Sequence, residues 1–140
     1  MAKTITKHSI SDEMAQQMVH AAVAKAKAIG VPQVVAILDE SGILKAFCRM
    51  DKTPLISIEV AQNKAYTALL GAPSQAFFER IKDNPALLAS APHIPRIVTF
   101  GGGLPITVEG AVVGAIGVSG GSVEQDIECA EAGIAAFNKG

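Results

Sequence analysis

The sequence predicts an α+β sandwich, a five-stranded antiparallel sheet flanked by helices, in a single domain over residues 1–140. Three observations predict it. Apolar residues recur at helical spacing near each end of the chain, so both terminal helices have a face to bury. Two pairs of short aliphatic runs each close across a cluster of turn formers, the pattern of a hairpin. Helical sequence separates the two hairpins, whereas a doubly wound parallel sheet requires strands alternating singly with crossover helices. A length of 140 residues suits one core, and no repeat, low-complexity tract or long linker divides it.

The elements follow in order. From Ile10 to Ile29 the residues Met14, Ala15, Met18, Val19, Ala22, Ala26 and Ile29 share one helical side, with Ser9 or Ser11 as cap and Gly30 as stop. "QVVAILDESGILKAFCRM" reads as two strands joined at Asp39–Gly42. Ser57 is expected to cap a second helix running to about Leu70, with Ile58, Ala61, Ala65, Ala68 and Leu69 inward and with Gly71 and Pro73 ending it. Ser74 is read as the cap of a short helix in "PSQAFFERIK", and "NPALLAS" as a further turn from Pro85. A strand is expected at Arg96–Phe100. "LPITV" and "AVVGAIGVS" then pair across Glu109-Gly110. Strands 1 and 5, the most apolar, belong at the centre of the sheet. The last helix carries a stripe of Val123, Ile127, Ala130, Ile134 and Phe137, and Ser122 with Gln125 fits a capping box.

Composition excludes several classes of function. A formal net charge of -1 with 4% aromatic residues and no Trp lacks both the basic footprint and the stacking platform of a nucleic-acid binder. Cys48 and Cys129 lie far apart and outside any C-x-x-C pattern, which argues against a disulfide framework or zinc ribbon. The N-terminus lacks the apolar core of a signal peptide. "VVAIL", the longest aliphatic run, is too short to span a bilayer. A cytoplasmic protein without membrane partners is the expectation.

Eight of the thirteen glycines fall between Phe100 and Asp126. "GVSGGSVEQD" leads from a strand into a helix N-terminus, where unpaired amides favour a phosphate or carboxylate. Yet there is no G-x-x-x-x-G-K-[ST] and no G-x-G-x-x-G after a first strand, and Glu124 and Asp126 would repel phosphate. Gly110, Gly120 and Gly121 are accounted for by a turn and a corner. Gly114 and Gly117 inside a strand leave bare backbone that another backbone or a flat ligand approaches. With Gly101, Gly102 and Gly103 they are candidates for a ligand-lining surface, with Ser119, Gly120 and Gly121 at its end.

Among side chains capable of chemistry, Asp51 closes the second strand, Lys64 borders the second helix's stripe, and Asp126 flanks the last helix's stripe. Such a cluster can do acid–base work if burial shifts its proton affinities, or it can be a structural ion-pair network. Ser119 sits in G-x-S-G-G, not in a G-x-S-x-G elbow. The histidines, 8, 20 and 93, have no metal-site spacing. His20 shares a helix face with Glu13, Gln16 and Lys27, opposite Met14 and Met18. Met50 and Cys48 are soft donors within a strand.

"RMDKTPLISIEVAQNKAYTA", "RIVTFGGGLPI" and "GAIGVSGGSVEQD" are similar to the GlcG/HbpS-like haem-binding family, most of all to the C-terminal domain of PduO, the cobalamin adenosyltransferase of propanediol utilisation. The likeness covers nearly the whole chain. It implies a profilin- or PAS-like sandwich, self-assembly into dimers or higher oligomers, and binding of haem, or less readily a corrinoid. It does not extend to the helical ATP:corrinoid transferase domain, so no catalysis is carried over.

These lines lead to a small non-enzymatic protein that holds haem or a related tetrapyrrole beside the glycine-rich strands, as an accessory to a propanediol, glycerol or glycolate operon. His20 is its candidate axial ligand and needs a pocket completed by a neighbouring subunit, because its own core lies across the helix. Two rivals stand beside it: an enzyme acting on a small organic acid or corrinoid-linked metabolite through Lys64 with Asp51 or Asp126, and an assembly module of a metabolic complex.

Overall fold

A computed structural model describes residues 1–140. Helix α1 (Asp12–Ile29) leads into strands β1 (Val34–Asp39) and β2 (Leu44–Arg49). Helices α2 (Ile56–Ala68), α3 (Ala76–Ile81) and α4 (Pro85–Ser90) follow, the last running into a 3₁₀ turn at Ala91–His93. Strands β3 (Gly103–Val108) and β4 (Ala111–Ser119) and helix α5 (Val123–Lys139) complete the chain. The strands form one antiparallel sheet in the order β2-β1-β4-β3.

Local chemistry sets the boundaries. Ser11 accepts the Met14 amide at the start of α1, and Gly30, at φ 71°, ends it in the left-handed conformation. Asp39 Oδ1 accepts the amides of Ser41 and Ile43 in the first hairpin. Glu109 and Gly110 both have positive φ, 50° and 81°, as a two-residue turn that follows the sheet twist requires. Ser122 and Gln125 cap α5 reciprocally.

One sheet face meets α1 and α5 in a core that includes Met18, Val35, Ile37, Ile116 and Val118. The other meets α2, whose Ala61, Ala65 and Ala68 pack on Val34, Ala36, Leu38 and Ala115. Covered on both sides, β1 is buried from Val34 through Leu38, and β1 and β4 are the central pair.

The sheet has four strands, not five. Residues 96–100 run as irregular chain because their backbone groups find side-chain partners. Thr67 Oγ1 accepts the Val98 amide and donates to Arg96 O, and Ser74 Oγ donates to Phe100 O at 2.7 Å. Arg96 also has φ 68°, which a strand does not accommodate. Both serines read as caps are engaged elsewhere. Ser57 lies inside the first turn of α2 and accepts from Ser119 Oγ at 3.3 Å, while Ser74 links Phe100 O to the Gly103 amide. On α5 the innermost residues are Asp126, Cys129, Ala130 and Gly133, with Val123 exposed. Small residues there let α5 lie close, since a Cβ on Gly133 would collide with the Ile116 side chain.

Candidate functional site

The glycine-rich strands form a seat for a helix. Gly103 and Gly117 are direct partners across β3 and β4, and Gly117 faces Ala36 on its other side. Helix α2 lies on this row through Ala61 and Ala65, beside the buried Lys64. A Cβ on Gly117 would fall on Ala61 O and within 2.7 Å of Ala65 N, and one on Gly103 would fall on Lys64 O. The surface expected to receive a planar guest is thus filled by the chain's own α2. Gly114 is closed by Leu38 O and Ile10, and Gly101 by Ile127 and Val123. Gly102 abuts Lys64 and Val118 O, Gly120 abuts Pro32 O and Gln33, and Gly121 abuts Gln125 and Val31. Ser119 is buried, its hydroxyl turned to Ser57.

Beside this seat is a buried ion pair. Lys64, 0% exposed, donates through Nζ to Asp126 Oδ2 at 2.8 Å and to Val118 O at 2.9 Å. The ammonium also lies 4.9 Å from the Phe100 ring centroid. Asp126 Oδ1 accepts the Gly121 amide at 3.0 Å. Burial pushes the Lys64 pKa below its ordinary value, and the hydrogen bond and charge of Asp126 offset part of that shift. Two of the three candidate acid–base residues therefore meet, with two of the three ammonium N–H groups hydrogen-bonded and the Phe100 ring nearby, and they tie α2, β4 and α5 together. Asp51 stands apart, exposed in the turn after β2.

His20 sits elsewhere. Helix α1 overhangs edge strand β2, and between them lies a groove of about 340 Å³ lined by Gln16, Val19, His20 and Val23 from the helix and by Ala46, Phe47 and Cys48 from the strand. The imidazole is exposed on a rigid helix, beside apolar walls with no carboxylate among them. His20 thus has a groove of its own chain, at the sheet edge, although it points away from the core. The sequence showed the helical face but not the strand beneath it. Small residues at 46 and 48 were the available signal.

The other sequence-level donors are placed differently. Met50 Sδ is engaged by the Gln33 amide at 3.3 Å, and His93 is exposed in the 3₁₀ turn. His8 lines a larger hollow of about 570 Å³ shared with Glu109 and Phe137. There the imidazole rides on the segment before α1 and a carboxylate faces the same space.

Sheet, helices and groove together define a small α+β domain with a ligand-sized apolar cleft at its sheet edge, within the range of small-molecule sites. The family described as haem degrading protein HbpS-like matches residues 10–135, and the chain belongs to that family. It is 39% identical over 127 residues to an uncharacterized 15.0 kDa protein in the dhaT-dhaS intergenic region of Citrobacter freundii, covering 89% of both chains. It is 38% identical over 132 residues to the corrinoid adenosyltransferase PduO of the same organism, covering 93% of this chain and 39% of that protein. The chain therefore spans about two fifths of that curated relative. Among solved structures, a PduOC:heme complex superposes with a TM-score of 0.86 at 36% identity, over 93% of this chain and 96% of the other. No helix is long and apolar enough to cross a membrane.

Proposed function

We propose that this protein binds haem, or a closely related tetrapyrrole, in the groove between α1 and β2, where the His20 imidazole would hold the iron. The observation that carries the proposal is an exposed imidazole held on a helix beside the apolar side chains of Val19, Val23 and Ala46. This donor set fits haem: a neutral imidazole for the iron, apolar walls for the macrocycle, and no carboxylate in the lining to oppose the propionates. When bound, haem would supply redox-active iron. The chain's own residues orient it and shield one side from water. The solved complex of the PduO C-terminal domain with haem supports the choice of ligand.

A groove of about 340 Å³ takes in only part of a macrocycle, so we assign the remaining cover to a second copy of the chain, in a homo-oligomer. Two free cysteines fit a reducing cytoplasmic compartment. Binding in the service of corrinoid-dependent metabolism, without catalysis, is the role we favour over proton transfer at Lys64, because that amine is sealed from solvent and hydrogen-bonded to Asp126 and Val118 O. Corrinoid itself is the lesser ligand, since the adenosyltransferase relative extends well beyond the region shared with this chain.

Haemin added to the purified apoprotein should give a saturable, shifted Soret band. His20→Ala should abolish that shift while far-UV circular dichroism stays unchanged, because the residue is exposed. A spectrum identical to free haemin overturns the proposal, and an unchanged shift in the variant overturns the ligand assignment. Light scattering at about the monomer mass of 14.4 kDa, with haem bound, would contradict the shared site.

A further inference from the structure

The groove contains a second soft donor that the haem reading leaves unused. Strand pleating turns Ala46 and Cys48 toward α1. Phe47, paired with Ala36, alternates to the opposite sheet face although it also borders the groove, so the side chains that β2 turns toward α1 beside His20 are the Cys48 thiol and the Ala46 methyl. Cys48 is only half-buried and its sulfur has no hydrogen-bond partner. Two other sulfurs of the chain are engaged. Met50 accepts the Gln33 amide, and Cys129 is buried against Gln33 Nε2 at 3.9 Å, where burial raises its thiol pKa.

Resting on the haem reading, we propose that Cys48 borders the bound tetrapyrrole, so that occupancy of the groove and covalent modification of the Cys48 thiol by soft carbon electrophiles exclude one another. The groove, at about 340 Å³, lies near the lower end of the range for small-molecule sites, and an added group on Cys48 takes up the space between β2 and the His20 imidazole. Conversely, a macrocycle against that imidazole covers the thiol. Cys129 gives an internal control, being a thiol of the same chain that the folded core protects.

The test is alkylation of the full chain with iodoacetamide, with and without haemin. The Cys48 thiolate displaces iodide: a carbon–sulfur bond forms as the carbon–iodine bond breaks, and the thiol proton passes to buffer. Peptide mass spectrometry should place the label on Cys48 in the folded protein and on both cysteines only after unfolding. Saturating haemin should slow labelling of Cys48 at least about tenfold, because alkylation follows thiol access. In His20→Ala the same haemin should leave the rate unchanged. Protein alkylated beforehand, with its circular dichroism intact, should lose the saturable Soret shift. The protection measurement stands even if the alkylated protein does not fold. An unchanged labelling rate under a fully developed Soret shift overturns this inference and leaves the haem reading intact. Absence of any saturable shift in the wild type overturns both.

Discussion

Removing the Asp126 carboxylate tests whether Lys64 and Asp126 pin three elements together. Asp126→Ala strips Lys64 of its 2.8 Å partner and leaves the Gly121 amide without its acceptor. The ammonium stays 0% exposed, with Val118 O and the Phe100 ring as its remaining company. Breaking a buried pair from one side costs about 3–5 kcal/mol, a large part of the roughly 5–15 kcal/mol that holds a domain folded. Unfolding entropy scales to about 0.3 kcal/mol per degree for 140 residues, so Tm should fall by about 10–17 °C in calorimetry. Loss of the pair also removes what offsets the desolvation of Lys64, and its pKa should drop further below the ordinary lysine value. The unfolded chain then binds more protons than the folded one between that depressed pKa and the ordinary lysine value of 10.5, so stability rises with pH across this window. The deficit of Asp126→Ala should therefore shrink toward alkaline pH. Replacing both partners, Lys64→Met with Asp126→Leu, should cost about 1–2 kcal/mol or less, since a packed apolar pair needs no desolvation. A single variant melting within about 3 °C of wild type, or a double variant no better than the single, would refute the reasoning.

Two further predictions address the packing that surrounds this pair. Gly117→Ala should destabilise by about 3 kcal/mol, at the upper end for overpacking, because the added methyl meets main-chain atoms of Ala61 and Ala65 that cannot rotate aside. A melt equal to wild type would show that α2 does not rest directly on the strand. Ser122→Ala removes the half of the α5 capping box in which Ser122 Oγ accepts the Gln125 amide at 3.2 Å, leaving the Ser122 amide to donate to Gln125 Oε1 at 2.9 Å, and should cost about 1 kcal/mol, or roughly 3 °C. Retained stability would place the helix start elsewhere.

Local signals made most of the fold legible. Ser9 or Ser11, with Gly30, marked the two ends of α1, the structure choosing Ser11, and the Ser122–Gln125 box marked the start of α5 through short-range hydrogen bonds written into neighbouring residues. The strand misread at Arg96–Phe100 depended on partners 26 to 31 residues away, Ser74 and Thr67, which no local pattern encodes. Gly103 and Gly117 were correctly seen as bare backbone, but only the register that sets them opposite each other shows that a helix occupies the space. Lys64 and Asp126 were noticed together, yet their burial follows from small residues on α2 and α5 drawing both helices close. For His20, the helical wheel gave the face and the end of the sheet gave the groove.

The seat on Gly103 and Gly117 has a mechanical consequence. Where main chain rests on main chain, no layer of side chains lies between to rotate, compress or trade volume. Helix α2 can then leave the sheet only as a unit. Any slide large enough to let water under it would unhook the Lys64 ammonium from Val118 and Asp126 in the same movement. The seam should open all at once or stay shut, which sets it apart from the groove at the opposite edge.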